Sequence, residues 1–421
     1  MSESIQAELE TARKLAKADK LAEAENAYRG LLEKSVGSNE KAIQVQEQAL
    51  YELGKLYRDH SKVEQLAQLI RTSRTILGSF AKSKTVKIIR NLIDLFATVP
   101  NSTDVQISTT KDCIEWAIQE KRNFLRQNLQ TRLISLYYEK GQYNDAISLI
   151  NNLLRELKRL DDKKALVELQ LLETKVYLAL RNIAKSKASL TSARTSANAI
   201  YTDPITQANL DNLSGILQAE DQDYKTAFSY FYEAFEGYAG QEDARANTAL
   251  KYLLLSKIML NLSDDIESLL TNKSVIKYAG RDIDAMKAIA KAYSNRSLKE
   301  FERTLDVYGK ELSSDQFIRS HFSALYDTLL EQNLVKVIEP FSCVEISHIA
   351  EIIGLDARQV EGKLSQMILD KVFYGVLDQG NGWLFVYDEP KADATYDAAL
   401  DTVRHMSNVV DLLYEKASAL N

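Results

Sequence analysis

The chain has 4 histidines and 2 cysteines, the residue types most suited to metal binding and nucleophilic catalysis. His60, His321, His348 and His405 stand far apart, and no pair has the His-x-His or His-Glu-x-x-His spacing that holds zinc. Cys343 and His348 are close enough in sequence to suggest a thiol–imidazole couple. Their surroundings instead favour a strand at Cys343 and a helix start at His348, so we interpret both residues as structural.

Nucleotide-binding and catalytic motifs are absent from the sequence. There is no Gly-x-x-x-x-Gly-Lys loop and no Gly-x-Gly-x-x-Gly after a strand, which are the usual phosphate cradles. Carboxylates are numerous, but nothing singles out a catalytic pair. We therefore expect a protein without enzymatic activity, metal or cofactor.

Positive charge is concentrated in two stretches without any Asp or Glu. The first runs from Gln65 to Leu92 and contains Arg71, Arg74, Lys82, Lys84, Lys87 and Arg90. The second runs from Thr174 to Thr202 and contains Lys175, Arg181, Lys185, Lys187 and Arg194. Basic faces on a chain of net charge -6 can steer it to an acidic partner surface. The alternative is that these are solvated helix faces that merely lack neighbouring acids.

Length and composition indicate a large, ordered and mostly helical protein. A chain of 421 residues exceeds what one core usually supports, and 45% hydrophobic with 27% charged residues is typical of ordered chains. Only 4 prolines and 15 glycines favour long helices with short connections. The acidic balance gives no general attraction to nucleic acid or membrane. With no disulfide motif, signal peptide or membrane-length apolar run, we expect a location in the cytoplasm and nucleus.

A repeated pattern predicts pairs of helices from residue 3 to about residue 312. It places an aromatic or aliphatic residue first, a small residue three positions later and a large one seven positions after the first. The four copies are Leu21, Ala24 and Tyr28; Tyr143, Ala146 and Ile150; Ile183, Ser186 and Leu190; Tyr224, Ala227 and Phe231. The last three copies start 40 and 41 residues apart, the length of a two-helix repeat. A small side chain lets a neighbouring helix approach closely. The pattern predicts an α-solenoid of tetratricopeptide-like helix pairs, with an irregular α-bundle as the alternative.

After Pro340 the pattern changes to that of a winged helix. A short helix over 347–354 ends at Gly354, and Asp356 can cap a longer one over 357–371. Strands are predicted at 343–346, 373–377 and 383–387, the last two joined by a turn rich in glycine and asparagine. The order helix, turn, helix, hairpin predicts a winged-helix module.

Charge argues against DNA reading by this module. The helix over 357–371 and its cap carry Arg358, Lys363 and Lys371 against Asp356, Glu361 and Asp370. A groove-reading helix normally has an excess of Lys and Arg to offset the phosphates. We expect the hairpin aromatics to fill the core beneath the wing rather than stack on bases; they are Tyr374, Trp383, Phe385 and Tyr387.

Beyond Pro390 the chain returns to helix with a coiled-coil-like apolar stripe. Its members follow one another at spacings of three or four: Tyr396, Leu400, Val403, Met406, Val410, Leu413, Ala417 and Leu420. This helix has no obvious partner within the chain, so we expect it to pack against helices of other chains. The alternative is docking on its own domain.

A helical array that ends in a winged helix resembles PCI-domain proteins. A closer similarity is to the proteasome lid family of non-ATPase regulatory subunit eleven, over roughly residue 41 to the C-terminus. The segments that carry it are Asn333–Phe341, Lys363–Lys371, Gly375–Gly380, Leu153–Lys158, Leu190–Thr195 and Ala227–Glu236. We therefore expect three parts: a helical-repeat superhelix over 1–215, a PCI domain over 216–390 and a C-terminal bundle helix over 391–421. Within the PCI domain, the helical part covers 216–332 and the winged helix 333–389.

The resemblance implies a non-catalytic scaffold of the proteasome lid. The N-terminal superhelix would reach an ATPase ring subunit and a core-particle α subunit. The winged helix would pack beside those of other PCI lid subunits, and the last helix would join a bundle contributed by several lid subunits. Such a subunit would support assembly and ubiquitin-dependent protein degradation. The alternative is a scaffold subunit of the signalosome, which has the same architecture.

Overall fold

The computed structural model describes residues 9–15, 21–33, 40–76, 82–96, 99, 102–278, 280–313, 315–388 and 394–418. Helices dominate these residues. They are α1 (9–15), α2 (Leu21–Glu33), α3 (Glu40–Asp59), α4 (Val63–Ile76), α5 (Lys82–Phe96), α6 (Thr103–Gln119), α7 (Asn123–Lys140), α8 (Tyr143–Leu160), α9 (Lys163–Ala179), α10 (Ile183–Asn198), α11 (Pro204–Glu220), α12 (Tyr224–Gly240), α13 (Arg245–Met259), α14 (Ser263–Leu270), α15 (Lys273–Ile276), α16 (Arg281–Ser294), α17 (Leu298–Ser313), α18 (Gln316–Ile338), α19 (Ile346–Ile353), α20 (Ala357–Leu369) and α21 (Ala394–Ser418). Three strands complete the fold, β1 (Cys343–Glu345), β2 (Tyr374–Asp378) and β3 (Trp383–Tyr387).

Contacts divide the chain into two compact units. Unit 1 contains Met1–Gln222 and Glu233–Asp243, and unit 2 contains Asp223–Tyr232 and Ala244–Asn421. The sequence-based boundary after residue 215 lies inside α11, whereas the first change of unit follows Gln222. Among the described residues, none of the helices combines the length and apolarity needed to cross a membrane.

Unit 1 is a solenoid of two helical layers. Each helix packs on the next one along the chain, and alternate helices also touch, with α3 against α5, α7 against α9, α9 against α11 and α4 against α6. The odd-numbered helices therefore form one layer and the even-numbered helices the other. This arrangement confirms the predicted solenoid of helix pairs.

The repeated sequence pattern coincides with helix starts. Its copies begin at the first residues of α2, α8, α10 and α12. The small residues at the fourth position are completely buried: Ala24, Ala146, Ser186 and Ala227. The large residues at the eighth position are at most 7% exposed: Tyr28, Ile150, Leu190 and Phe231. The small side chain thus lies where two helices approach, and the large one fills the groove beside it.

Short left-handed turns join the helices at a regular spacing. Residues with positive φ occur at Lys121, Gly141, Asp161 and Arg181, each 20 positions after the last. After three of them, the next backbone N–H donates to a carbonyl five residues earlier at 2.9 Å: Arg122 to Ala117, Gln142 to Tyr137 and Asn182 to Tyr177. This bond satisfies a carbonyl that the helix end leaves unpaired. The turn chemistry therefore fixes the length of each helix.

Unit 2 contains the predicted winged helix. Strand β3 lies between β1 and β2 and is antiparallel to both. Helices α19 and α20 pack on each other and on α18, and Lys363 Nζ of α20 lies 2.9 Å from a carboxylate oxygen of Glu331 on α18. The core beneath the sheet is formed by Val344, Ile349, Val360, Leu364, Met367 and Leu384.

Several predicted bounds in the winged helix need correction. Helix α20 ends at Leu369 rather than at residue 371, because Lys371 adopts a left-handed φ of 59° and the N–H of Val372 donates to the carbonyl of Met367. Strand β1 ends at Glu345 because Ile346 already begins α19. Strand β2 starts one residue later than predicted, at Tyr374. Asp356 occupies the N-cap position, but its side chain makes no capping bond.

The prediction that the hairpin aromatics fill the core beneath the wing is wrong. In β3 the fully buried residue is Leu384, whereas Trp383 is 47% and Tyr387 57% exposed. Side chains alternate across a strand, so burial of Leu384 directs Trp383, Phe385 and Tyr387 to the opposite face. These aromatics therefore form the outer surface of the wing rather than its core.

Candidate interaction surfaces

Cys343 and His348, the pair that the sequence suggested for thiol chemistry, lie on different elements of the winged helix. Cys343 is half-buried in β1, and His348 is exposed on α19. Within the described ranges, no three side chains of His, Cys, Asp or Glu converge as metal ligands would. The candidate functional features are therefore surfaces: the two basic stretches, helix α21 and the outer face of the wing.

The first basic stretch is divided between two helices. Arg71 on α4 forms an ion pair with Asp112 on α6, with a closest N–O distance of 2.7 Å. Lys87 and Arg90 on α5 are exposed. Arg74, Lys82 and Lys84 are helical, but their side chains lie outside the described part of the structure. An acid from a distant helix thus neutralises one member of this stretch, a pairing that sequence proximity does not indicate.

Two cations of the second basic stretch, Arg194 and Lys187, form ion pairs within unit 1. Arg194 Nη2 on α10 donates to an Asp211 carboxylate oxygen on α11 at 3.0 Å and to the Ser214 hydroxyl at 2.8 Å. Burial raises the pKa of the Asp211 carboxyl, while hydrogen bonds from Gln207 and the charge of Arg194 favour its ionised form. Lys187 pairs with Asp221. Arg194 and Lys187 therefore connect α10 with α11 and with the residue that ends it.

The terminal helix α21 presents an uncovered apolar face. All its described side chains from residue 395 to 418 are exposed. The predicted stripe is between 48% and 69% exposed at Tyr396, Leu400, Val403, Met406, Val410 and Leu413, and Ala417 is exposed as well. Leu420 lies outside the described residues. The helix therefore does not bury this stripe against its own chain.

The apolar surface of α21 is wider than the predicted stripe. Val409 and Leu412 are 54% and 57% exposed and lie outside it, whereas Tyr414, which is 76% exposed, follows Tyr396 by five full turns and lies within the stripe. At 100° per residue, Val409 and Leu412 extend the apolar arc to well over half of the helix circumference. One partner helix covers only a narrow seam of an α-helix. An arc of this width suits a helix that contacts two or more neighbours in a bundle.

The outer face of the wing is a second uncovered apolar surface. Trp383 and Tyr387 of β3 lie on this face with Val376 of β2, which is 54% exposed. Phe385 lies between them and pairs with Cys343 on one side and Val376 on the other. The alternation of Trp383, Phe385 and Tyr387 with Leu384 in the sequence places the three aromatics on one face of the sheet. It does not indicate which of the two faces is buried.

A helical array followed by a three-stranded winged helix defines the class of PCI-domain proteins, and residues 289–388 match the PCI domain family. Residues 5–140 match the N-terminal domain of 26S proteasome regulatory subunit RPN6, and residues 392–418 match the RPN6 C-terminal helix domain. The chain therefore belongs to the 26S proteasome regulatory subunit RPN6 family.

Relatives from distant eukaryotes are similar along almost the whole chain. The probable 26S proteasome regulatory subunit rpn6 of Schizosaccharomyces pombe is 57% identical over 419 residues, which is 99% of this chain and 100% of that protein. The 26S proteasome regulatory subunit RPN6 of Saccharomyces cerevisiae is 54% identical, with 98% of both chains covered. A 26S proteasome non-ATPase regulatory subunit 11 homolog of Arabidopsis thaliana is 49% identical, with 91% of both chains covered.

Proposed function

We propose that this chain is a non-catalytic structural subunit of the proteasome lid. Its role would be to bridge the lid, an ATPase ring subunit and a core-particle α subunit, in support of assembly and of ubiquitin-dependent protein degradation in the cytoplasm and nucleus. The observation that carries this proposal is the uncovered apolar arc of α21. Family membership favours the proteasome over the signalosome as the complex concerned.

The energetic argument rests on apolar area left in water. Each large apolar side chain of α21 that becomes fully buried contributes about 1.5–3 kcal/mol. Several such side chains along one helix are enough to offset the cost of association, which is on the order of 4–15 kcal/mol. We therefore propose that α21 joins helices of other lid subunits.

The outer face of the wing supplies the second proposed contact. Its aromatic and aliphatic side chains suit a neighbouring PCI winged helix better than a nucleic acid. The acidic Glu345 and Asp378 flank Trp383 in the sheet register and would repel phosphates. Two modest contacts on one chain raise the effective concentration of each, so together they hold more firmly than either alone.

The decisive experiment removes α21 by truncation after residue 394. We expect the truncated chain to keep its helical circular dichroism and thermal midpoint, because the removed side chains are exposed. We also expect it to be missing from affinity-purified proteasome lid. Normal incorporation of the truncated chain would contradict the proposed role of the helix.

A matched pair of point variants separates the apolar arc from the helix itself. Met406→Asp with Val410→Asp places two carboxylates on the apolar arc, and lid incorporation should fall strongly. Arg404→Asp with Asn408→Asp places two carboxylates on the polar side of the same turns, and incorporation should stay close to normal. Equal loss in both pairs would mean that charge or helix propensity, rather than apolar contact, governs assembly.

A further inference from the structure

Four odd-numbered helices of unit 1 enclose a groove that includes no residue of α21 or of the wing. Its volume is about 620 Å³, and side chains from α5, α7, α9 and α11 line it. The whole groove lies within unit 1. A groove of this size is within the range of typical ligand sites.

The groove brings together the two basic stretches of the sequence. Arg90 comes from the acid-free segment around α5, and Lys175 comes from the one that begins in α9. Arg132 of α7 lies in the same groove. Residues 85 positions apart in sequence therefore contribute positive charge to one place on a chain whose net charge is -6.

Two of these cations, Arg132 and Arg90, are incompletely paired. Arg132 Nε is buried without a hydrogen-bond partner, and the closest approach between this guanidinium and the carboxylate of Asp94 is 3.9 Å. Arg90 has no carboxylate within ion-pairing distance among the described residues. Of the remaining acids, Asp162 already accepts a hydrogen bond from the N–H of Ala165 as the N-cap of α9. The solvent-facing part of the Arg132 guanidinium and the exposed Arg90 are therefore the groups with which an incoming carboxylate can pair.

An exposed aromatic ring completes the groove. Phe124, near the start of α7, is 62% exposed although it belongs to a helix whose other large apolar residues are mostly buried. Asn128 and Arg132 follow it at intervals of four residues, so the three side chains lie along one face of α7. That face therefore offers a ring, an amide and a cation in order.

We propose that this groove binds an acidic peptide segment of another protein, with one aromatic or aliphatic side chain against Phe124 and carboxylates beside Arg90 and Arg132. Glu168 also lines the groove and is exposed, so a continuous polyanion such as RNA fits it less well than a peptide with spaced carboxylates. Asn128 also lines the groove; its Nδ2 donates to the Phe124 carbonyl at 2.9 Å, so its side-chain oxygen is the atom left to accept from a peptide N–H.

Peptide binding to the isolated full-length chain tests this proposal by fluorescence anisotropy. The probe is a fluorescein-labelled peptide of twelve residues with four glutamates and two phenylalanines among glycine and serine. One comparison peptide carries lysines instead of the glutamates, and another carries serines instead of the phenylalanines. We expect saturable binding of the acidic aromatic peptide and weaker binding of both others by about tenfold or more.

Two variants on one helix locate the site. Arg90→Glu should weaken binding of the acidic peptide by about tenfold or more, because attraction to the peptide becomes repulsion. Lys87→Glu makes the same charge change three residues earlier on α5, where Lys87 lines a separate cleft with Tyr51 and Asn91, and should change binding far less. Phe124→Ser should reduce binding of the aromatic peptide to the level of the serine peptide.

Three results would overturn the proposal. They are no preference for the acidic over the basic peptide, equal losses in the Arg90 and Lys87 variants, and tighter binding of a twelve-nucleotide uridine RNA than of the acidic peptide. Thermal unfolding of each variant guards against misfolding, since Arg90, Lys87 and Phe124 are all exposed and their substitution should leave the midpoint unchanged. The assay uses the isolated chain, so its result is independent of incorporation into the lid.

Discussion

Helices α8 and α21 both carry an apolar stripe, but the stripe is buried in α8 and exposed in α21. In α8, Ala146, Ile150, Leu153 and Leu157 are at most 2% exposed because α7 and α9 cover them. In α21, the corresponding stripe remains between 48% and 69% exposed. An apolar stripe thus indicates that a helix needs a partner, while the neighbouring helices decide whether the partner is in the same chain. The uncovered helix is the one that matches a family-specific terminal domain.

The largest expected difference comes from the same substitution in both helices. Leu153→Ala should lower the free energy of unfolding by about 2–5 kcal/mol, because the side chain is buried and leaves a cavity. Leu413→Ala should change it by no more than about 0.5 kcal/mol, since the side chain is 62% exposed. Urea denaturation of the isolated chain, followed by circular dichroism, measures both. Similar losses in the two variants would break the contrast between the helices.

A smaller effect is expected where two helices of unit 1 approach closely, at Gly237 of α12 and Ala208 of α11. A Cβ at Gly237 of α12 would lie 2.9 Å from the Cβ of Ala208 on α11, so Gly237→Ala should destabilise the chain by about 1–3 kcal/mol. Gly240→Ala in the same helix meets open space and serves as the control, with little change or a slight gain. The thermal midpoint of each variant distinguishes close helix packing from helix propensity. A neutral Gly237→Ala would mean that α11 shifts without cost.

The smallest expected effect depends on pH. Burial raises the pKa of Glu173 on α9 above its ordinary value of 4.5, so the folded chain binds this proton more tightly than the unfolded chain. As the pH rises above 4.5, Glu173 loses this proton more readily in the unfolded chain, so its ionisation makes the folded state less stable. Glu173→Gln should raise stability at pH 7 by up to about 1 kcal/mol, and the gain should shrink towards pH 4.

The control for this experiment is Glu168→Gln, an exposed position on the same helix. Thermal unfolding of both variants and of the unaltered chain between pH 4 and pH 7 gives the comparison. A gain for Glu173→Gln that does not depend on pH would exclude ionisation as its cause.

The fold was largely predictable from local patterns. The repeated pattern begins at Tyr143, Ile183 and Tyr224, and each of these residues is the first of a helix. Its apolar, small and large residues are spaced so that only a helix places them on one face. Gly354 ends α19 with a φ of 85°, a conformation that glycine adopts readily. The end of α20 was harder to predict because Lys371 adopts a left-handed conformation that sequence preference disfavours.

The interaction surfaces were less predictable because they depend on distant contacts. The spacing of Met406 and Val410 predicts an apolar stripe, but Val409 and Leu412 widen it beyond a single seam. The basic stretch around Arg71 carried no sign of its pairing with Asp112, 41 residues away. The alternation in β3 separates two sheet faces, but the prediction that the aromatic face is the buried one is wrong, because Leu384 is the buried residue. Local sequence defines the faces of an element, and tertiary packing selects which of them is covered.

The regular left-handed turns of unit 1 have a consequence for how this chain can tolerate change. Helices α6 to α9 are 17 or 18 residues long, and their turns recur every 20 residues. One inserted residue within a helix would rotate every later side chain by about 100° around its axis and move buried positions into water. A substitution changes one side chain, whereas an insertion rotates all later side chains of that helix relative to the helices that cover them. Two-layer stacking therefore constrains the length of each helix more tightly than its composition.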